Sequence, residues 1–167
     1  MTRAAALLLL AALGGCALQP VYQGGVRGTA ATTLSRISVA PIPDRAGFLL
    51  RNALQDRLGN PGGSAPFRLE VELDDEIEGF GIRGDDSITR ERRTLRARYR
   101  LVAADGSRTY LDATARSDAG IDVVRSSDLA VVAAENTALE RLATELAAQI
   151  VAKVALVARD APELAAP

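Results

Sequence analysis

From Phe67 the chain alternates strictly, with Phe67, Leu69, Val71 and Leu73 on one side and Arg68, Glu70, Glu72 and Asp74 on the other. A period of two sends successive side chains to opposite faces of a strand, so this segment has one buried face and one wet face. The run TLRARYRLV repeats the pattern, with Leu95, Ala97, Tyr99 and Leu101 inward and Arg96, Arg98 and Arg100 outward. Ala104-Asp105-Gly106-Ser107 is a turn signal, and YLDATA from Tyr110 begins a return strand. In such a meander Glu70, Glu72 and Asp74 face Arg96, Arg98 and Arg100 as cross-strand pairs of opposite charge. Earlier, RISVA (Arg36 to Ala40) alternates briefly until Pro41 and Pro43 stop it, which predicts a short edge strand.

Two other segments change period to 3.6. In RAGFLLRNALQDRL, Leu50, Leu54 and Leu58 recur every fourth residue beside Ala46, Leu49 and Ala53; Asp44 is placed to cap the start, and Gly59 with Pro61 to stop the end. From Leu129 no Pro or Gly occurs until Pro162, and Leu139, Leu142, Leu146, Ile150, Val154 and Val157 draw one continuous stripe. Ser126, Ser127 or Asp128 can cap this helix. At 1.5 Å per residue, about thirty residues extend about 45 Å, so the helix bends or its end projects from a small domain. The order β-α-β-β-β-α and a sheet with one apolar face predict an α+β two-layer sandwich, with two helices packed on one face of a four-stranded, mostly antiparallel sheet.

The amino terminus reads differently. Arg3, an unbroken apolar run from Ala4 to Leu13, then Gly14 and Gly15, are laid out as an export signal, too short to span a bilayer. The only cysteine, Cys16, follows at once. Its L-G-G-C context resembles a bacterial lipobox, which implies cleavage before Cys16 and lipidation of its sulfur; a free thiol or an intermolecular disulfide are the alternatives. The expected organisation is a signal peptide over 1–15, a lipidated Gly- and Thr-rich tether over 16–35, one α+β domain over 36–160 and a tail over 161–167.

Composition narrows the chemistry. The chain has 20 basic and 21 acidic residues, no His and no Trp, and Lys153 is the single lysine. Without His, and with Cys16 assigned to lipid, Ser-His and Cys-His nucleophiles and His or Cys metal sites are excluded. No enzyme, metal or cofactor is expected, and no overall charge favours nucleic acid.

Between the second and third strands lies DDEIEGFGIRGDDSITRERR, read as a connecting loop. Its Gly79-x-Gly81-x-x-Gly84 spells a dinucleotide fingerprint, but Asp85, Asp86 and a strand follow where a helix is required, which leaves a glycine-bent hairpin or bulge. Asp74, Asp75, Glu76 and Glu78 lack calcium-loop spacing and serve most simply as cross-strand partners. The basic run Arg90, Arg92, Arg93, Arg96, Arg98 and Arg100 has two readings. It is either a solvated face paired to the acidic strand or an anion-binding ridge, since guanidinium forks take phosphate bidentately.

The lipobox, the segment CALQPVYQGG, then APIPDRAGFLLRNALQD, LDDEIEGFGIRGDDSITRERRTLRARYRL and AENTALERLATELAAQIV, together resemble the lipopolysaccharide-assembly lipoproteins of the LptE family as found in alphaproteobacteria. The resemblance implies a domain anchored to the inner leaflet of the outer membrane, seated one to one as a plug in the large LptD β-barrel, assisting its assembly and binding lipopolysaccharide. Under it, Arg90, Arg92, Arg93, Arg96 and Arg98 are candidate lipopolysaccharide contacts. Asp75, Glu76, Phe80, Ile82 and Arg83, in loop 75–88, are candidate barrel contacts. A scaffold or chaperone of another envelope complex is the alternative.

Overall fold

The computed structural model describes residues 29–59, 61, 65–82, 88–123, 128–161 and 164. The leader, Cys16, most of the tether, Arg83, Ser126 and Ser127 lie outside the described residues, as does the side chain of Ile82.

Helix α1 (Thr29–Leu34) occupies the end of the segment expected to be an extended lead-in. Thr33 and Leu34 are buried, and the side chain of Ser35 donates to the Thr32 carbonyl at 2.8 Å. Just beyond, Arg36 sits 5.6 Å over the Phe67 ring and donates to the carbonyl of Leu164 at 3.4 Å. Two buried side chains and this latch hold a turn of helix that no periodicity announces, because six residues are too few to show one.

Strand β1 (Ile37–Val39) pairs in parallel with β2 (Phe67–Ile82), Ile37 against Phe67. Helix α2 (Asp44–Leu58) crosses between them and buries Ala46, Leu50, Leu54 and Leu58. Its start differs from the sequence reading. Pro43 takes the cap position, while Asp44 makes no side-chain cap and adopts a left-handed φ of 65°. The chain must reverse off β1 within a few residues, and a short polar Asp tolerates that conformation better than most. Gly47 makes the reversal possible, since a Cβ there would stand 2.7 Å from the Ile42 Cγ2 and 2.8 Å from its carbonyl carbon. At the far end Gly59, φ 89°, closes on the Gln55 carbonyl at 2.8 Å.

β3 (Ile88–Ala103) runs antiparallel to β2, and β4 (Thr109–Asp122) antiparallel to β3, giving the order β1-β2-β3-β4. The turn between β3 and β4 matches its signal: Gly106 has φ 73°, and the Asp105 carboxylate accepts from the Ser107 amide at 3.0 Å and hydroxyl at 2.7 Å. The expected facing of charges is also realised, with Glu70 opposite Arg100, Glu72 opposite Arg98 and Asp74 opposite Arg96.

The strands are longer than their apolar alternation. Asp75 to Phe80 remain paired to Leu95 through Arg90, so most of the expected loop is sheet. Polar residues on both faces and Gly79 and Gly81 hide the period there. β4 likewise continues through RSDAGID to Asp122.

Helix α3 (Asp128–Asp160) has 33 residues, about 50 Å at 1.5 Å each, and β2 and β3 have 16 each, about 53 Å at 3.3 Å each. The long helix therefore has a sheet of its own length to lie on. Leu139, Leu142, Leu146, Ile150 and Val154 are wholly or almost wholly buried against Leu69, Leu95, Ala97, Tyr99 and Leu101. The structure is thus the α+β two-layer arrangement, with α1 added to the two expected helices.

Gly47→Ala tests the reversal before α2. Alanine gains about 1 kcal/mol of intrinsic helix preference. Overpacking against the Ile42 backbone costs about 1–3 kcal/mol, so the midpoint of urea unfolding should fall rather than rise.

Candidate functional site

The sheet face turned away from the helices carries one column of side chains from each long strand. Pairing fixes the rows: Glu70-Arg100-Asp112, Glu72-Arg98-Thr114, Asp74-Arg96-Arg116, Glu76-Thr94-Asp118, Glu78-Arg92-Gly120 and Phe80-Arg90-Asp122. An acidic column on β2 thus borders a basic column on β3, and β4 adds Arg116 among Asp112, Asp118 and Asp122.

Most of the guanidinium groups on this face are engaged. Glu70 accepts from Arg100 at 3.0 Å and from Arg68 at 2.9 Å. Arg98 grips Asp112 through Nη2 at 2.8 Å and Nε at 3.2 Å, a fork-on-carboxylate pair. That contact holds the Asp112 carboxyl below the ordinary aspartate value and raises Arg98. Arg90 reaches Asp122 at 3.2 Å, and Arg92 lies 5.2 Å over the exposed Phe80 ring, a cation–π contact. Arg96 differs. Its direct neighbours are Asp74 and Arg116, and among the described residues it makes no ion pair. Among the described residues the Arg116 guanidinium has only a 3.5 Å contact to the Thr94 hydroxyl.

The candidate ridge does not lie on one face. Arg90, Arg92, Arg96 and Arg98 share the open face, whereas Arg93 points into the helix layer, in phase with Leu95. There its Nε and Nη2 donate to the two Asp75 oxygens at 2.8 and 2.6 Å, and Nη1 donates to the Glu135 carbonyl of α3 at 3.2 Å. Its side chain is 11 % exposed and that of Asp75 25 %, so solvent screens this pair far less than the others. The hydrogen bond to Asp75 raises the Arg93 pKa.

The candidate barrel contacts divide in the same way. Glu76 and Phe80 lie on the open face, and Asp75 lies on the helix side in the clamp with Arg93. The apolar signal missed in the sequence is Ile77, exposed on the helix side, with Leu129 and Val132 exposed on the first turns of α3. Arg93, opposite Ile77, bonds Glu135 just beyond those turns, which places all three toward the hairpin's far end. Helix α2 stops short of this end, leaving a cleft of about 520 Å³ over the clamp, lined by Ala46, Leu73, Ile77, Asn136 and Leu139 among others. Arg45 bridges its mouth to Asn136 at 2.6 Å. Among the described residues no group of acidic side chains is placed to hold a metal ion, and no helix is long and apolar enough to cross a membrane.

The architecture recurs among solved lipoprotein domains. It resembles a lipoprotein of Caulobacter crescentus, with a TM-score of 0.67 and 24 % identity over 80 % of this chain and 100 % of that one. Rare lipoprotein B of Shewanella oneidensis has a TM-score of 0.59 at 9 % identity, over 74 % of this chain and 96 % of that one. A minor lipoprotein of Acinetobacter baumannii has a TM-score of 0.57 at 14 % identity, over 72 % and 90 %. These likenesses establish the fold. The family follows from the sequence itself: residues 34–154 match the lipopolysaccharide-assembly family LptE, and the chain belongs to it. No curated protein sequence matches the chain.

The two kinds of arginine should separate by measurement. Arg93→Gln leaves Asp75 half-buried and unpaired and should cost about 2 kcal/mol in urea unfolding, whereas Arg96→Gln, with no ion pair to lose, should change stability by less than about 0.5 kcal/mol. A carboxyl whose folded pKa is depressed contributes stability above its unfolded pKa and loses it as pH falls through the folded value. Asp112→Asn should therefore flatten the loss of stability on acidification below about pH 4.

Proposed function

We propose that the protein is an outer-membrane lipoprotein of the lipopolysaccharide transport machinery, anchored through Cys16, that plugs and helps assemble the LptD β-barrel and binds lipopolysaccharide. The observation that carries this reading is the family match, which spans α2, the long hairpin and most of α3. No catalytic role is assigned. The face offers paired charges and exposed apolar side chains, which suit binding.

Within this reading the candidate contacts are chosen by face and by pairing. For the barrel, Glu76, Phe80 and the apolar residues Ile77, Leu129 and Val132 at the hairpin's far end replace a connecting loop as the surface to be covered. Exposed apolar groups gathered at one end of a small domain mark a surface that a partner shields. For lipopolysaccharide, the open-face set is Arg90, Arg92, Arg96 and Arg98, with Arg116 beside Arg96. Arg93 leaves the set, because its fork already holds Asp75.

Tagged full-length protein, purified from detergent-extracted envelopes, should bring down the barrel in equal amount; recovery with an unrelated complex would favour the general envelope scaffold instead. Replacing Arg90, Arg92, Arg96 and Arg98 together with Gln should weaken lipopolysaccharide binding by about tenfold or more, as loss of charge-assisted bonds to phosphate requires, with little change in melting. Unchanged binding would reduce the column to a ladder that holds the sheet.

A further inference from the structure

We infer that the outer edge of β4 is an interface between two copies of this chain, paired antiparallel about a two-fold axis through Ser117. The inference goes beyond the plug reading. It concerns the protein when no barrel occupies it.

The edge is long and open. Among the described residues no strand lies beyond β4, which contributes 14 residues. The direction of its free backbone groups follows from the hydrogen bonds present. The Ala103 amide donates to the Arg108 carbonyl, so odd-numbered residues of β3 turn their N–H and C=O toward β4 and meet Leu111, Ala113, Ala115, Ser117, Ala119 and Ile121. The even-numbered residues of β4 therefore face outward. Gln149 of α3 shows the same direction by reaching the Arg116 carbonyl at 3.3 Å from the helix side. Asp112, Thr114, Arg116, Asp118, Gly120 and Asp122 thus present a row of donors and acceptors, of which the Arg116 carbonyl is already taken by the Gln149 side chain, a bond that an added strand would exchange for a backbone one. Edge strands are usually protected by proline, a bulge or uncompensated charge. β4 contains no proline, and its one register shift lies near its start, beside Leu101 and Val102.

Charge selects the occupant. Asp112 and Asp122 are held by Arg98 and Arg90 of the same chain. Arg116 and Asp118 remain. Arg116 stands directly opposite Arg96, a like-charge pair, and Asp118 stands opposite Thr94. Antiparallel pairing centred on Ser117 puts Arg116 of each copy against Asp118 of the other, in register with the outward backbone groups, so one ion pair forms on each side of the axis. Self-complementarity of this kind is what a two-fold interface requires. On the helix side the strand carries the small side chains Ala113, Ala115, Ser117 and Ala119 near the axis; Ser117 is buried, and its hydroxyl donates to Glu145 of α3 at 2.8 Å, a bond that the Ser117→Cys variant gives up. The same register brings Leu111 beside an apolar cleft of about 490 Å³ that runs along this edge of the other copy between Ile121, Ala134 and Ala138.

The test is disulfide trapping of the full-length Ser117→Cys variant in native envelopes, since Cys16 is the only other cysteine. Oxidation should give a species of twice the chain mass. Arg116→Asp added to Ser117→Cys should lower its yield by about tenfold or more, because like charges then meet on both sides of the axis, and adding Asp118→Arg as well should restore it. Wild-type protein in detergent should also sediment as a dimer, a result that does not depend on how the cysteine substitution affects folding. Monomeric wild-type protein over the whole concentration range, together with no trapped dimer, would overturn the inference. So would a trapped product with a different chain, which would give the edge to another occupant.

Discussion

Everything in this structure depends on one long helix finding a sheet as long as itself. The stripe from Leu139 to Val154 is almost solid apolar surface, and each fully buried leucine or isoleucine in it is worth about 1.5–3 kcal/mol only if something covers it. A three-stranded meander with strands of ordinary length would leave the first turns of α3 without support. The extension of β2 and β3 past their apolar alternation removes that mismatch. Helix α2, with 15 residues against the 33 of α3, covers only part of that length, so the two ends of the molecule differ. Near β1 the sheet is covered by two helices and packs as a core. Toward the hairpin tip one helix remains, and paired charge takes over from packing.

The Arg93–Asp75 clamp marks where that change occurs. At Leu95 the helix-facing position is still fully buried; one step further along the same face a guanidinium occupies it, tied to β2 by a forked ion pair and to α3 by a backbone carbonyl. Apolar contact alone would need a third helix above this level, and none is present among the described residues. The clamp joins hairpin to helix without one, while the cleft above it and the exposed Ile77 stay open. Above the clamp the described surfaces of the hairpin and of α3 are thereby held together but left uncovered.

Much of this was legible in the residues. The periods of two and 3.6 located four strands and two helices, and the charge alternation foretold that Glu70, Glu72 and Asp74 would face Arg96, Arg98 and Arg100 as a set; the register that pairs Glu70 with Arg100 came from the structure. What failed did so for identifiable reasons. Strand continuation through Gly79 and Gly81 was hidden because period-two patterning requires one face to be buried, and there neither is. Helix α1 is too short for a period. A side-chain cap at Asp44 does not form because reversal off β1, set by Gly47 against Ile42, overrides it. The grouping of Arg93 with the other arginines ignored a signal that was present: it shares parity with Leu95, Ala97 and Tyr99, and parity decides the face.

Among the described residues no helix covers the open face, and its order has a different source. Glu70 meets Arg100 directly across the strands and Arg98 reaches Asp112 one row along, so the columns help lock register as turn geometry does elsewhere. Such exposed pairs add little stability individually, about 0–1 kcal/mol each, but a slip of one residue would set the columns out of phase and send the apolar set into water. The charge pattern therefore acts mainly on register. The row Asp74-Arg96-Arg116 departs from it, since two guanidinium groups lie side by side with one carboxylate and no ion pair among the described residues. That row carries one surplus guanidinium and the next, Glu76-Thr94-Asp118, two carboxylates with no cation between them, so the unmatched charge of the face is gathered in these two neighbouring rows and has both signs.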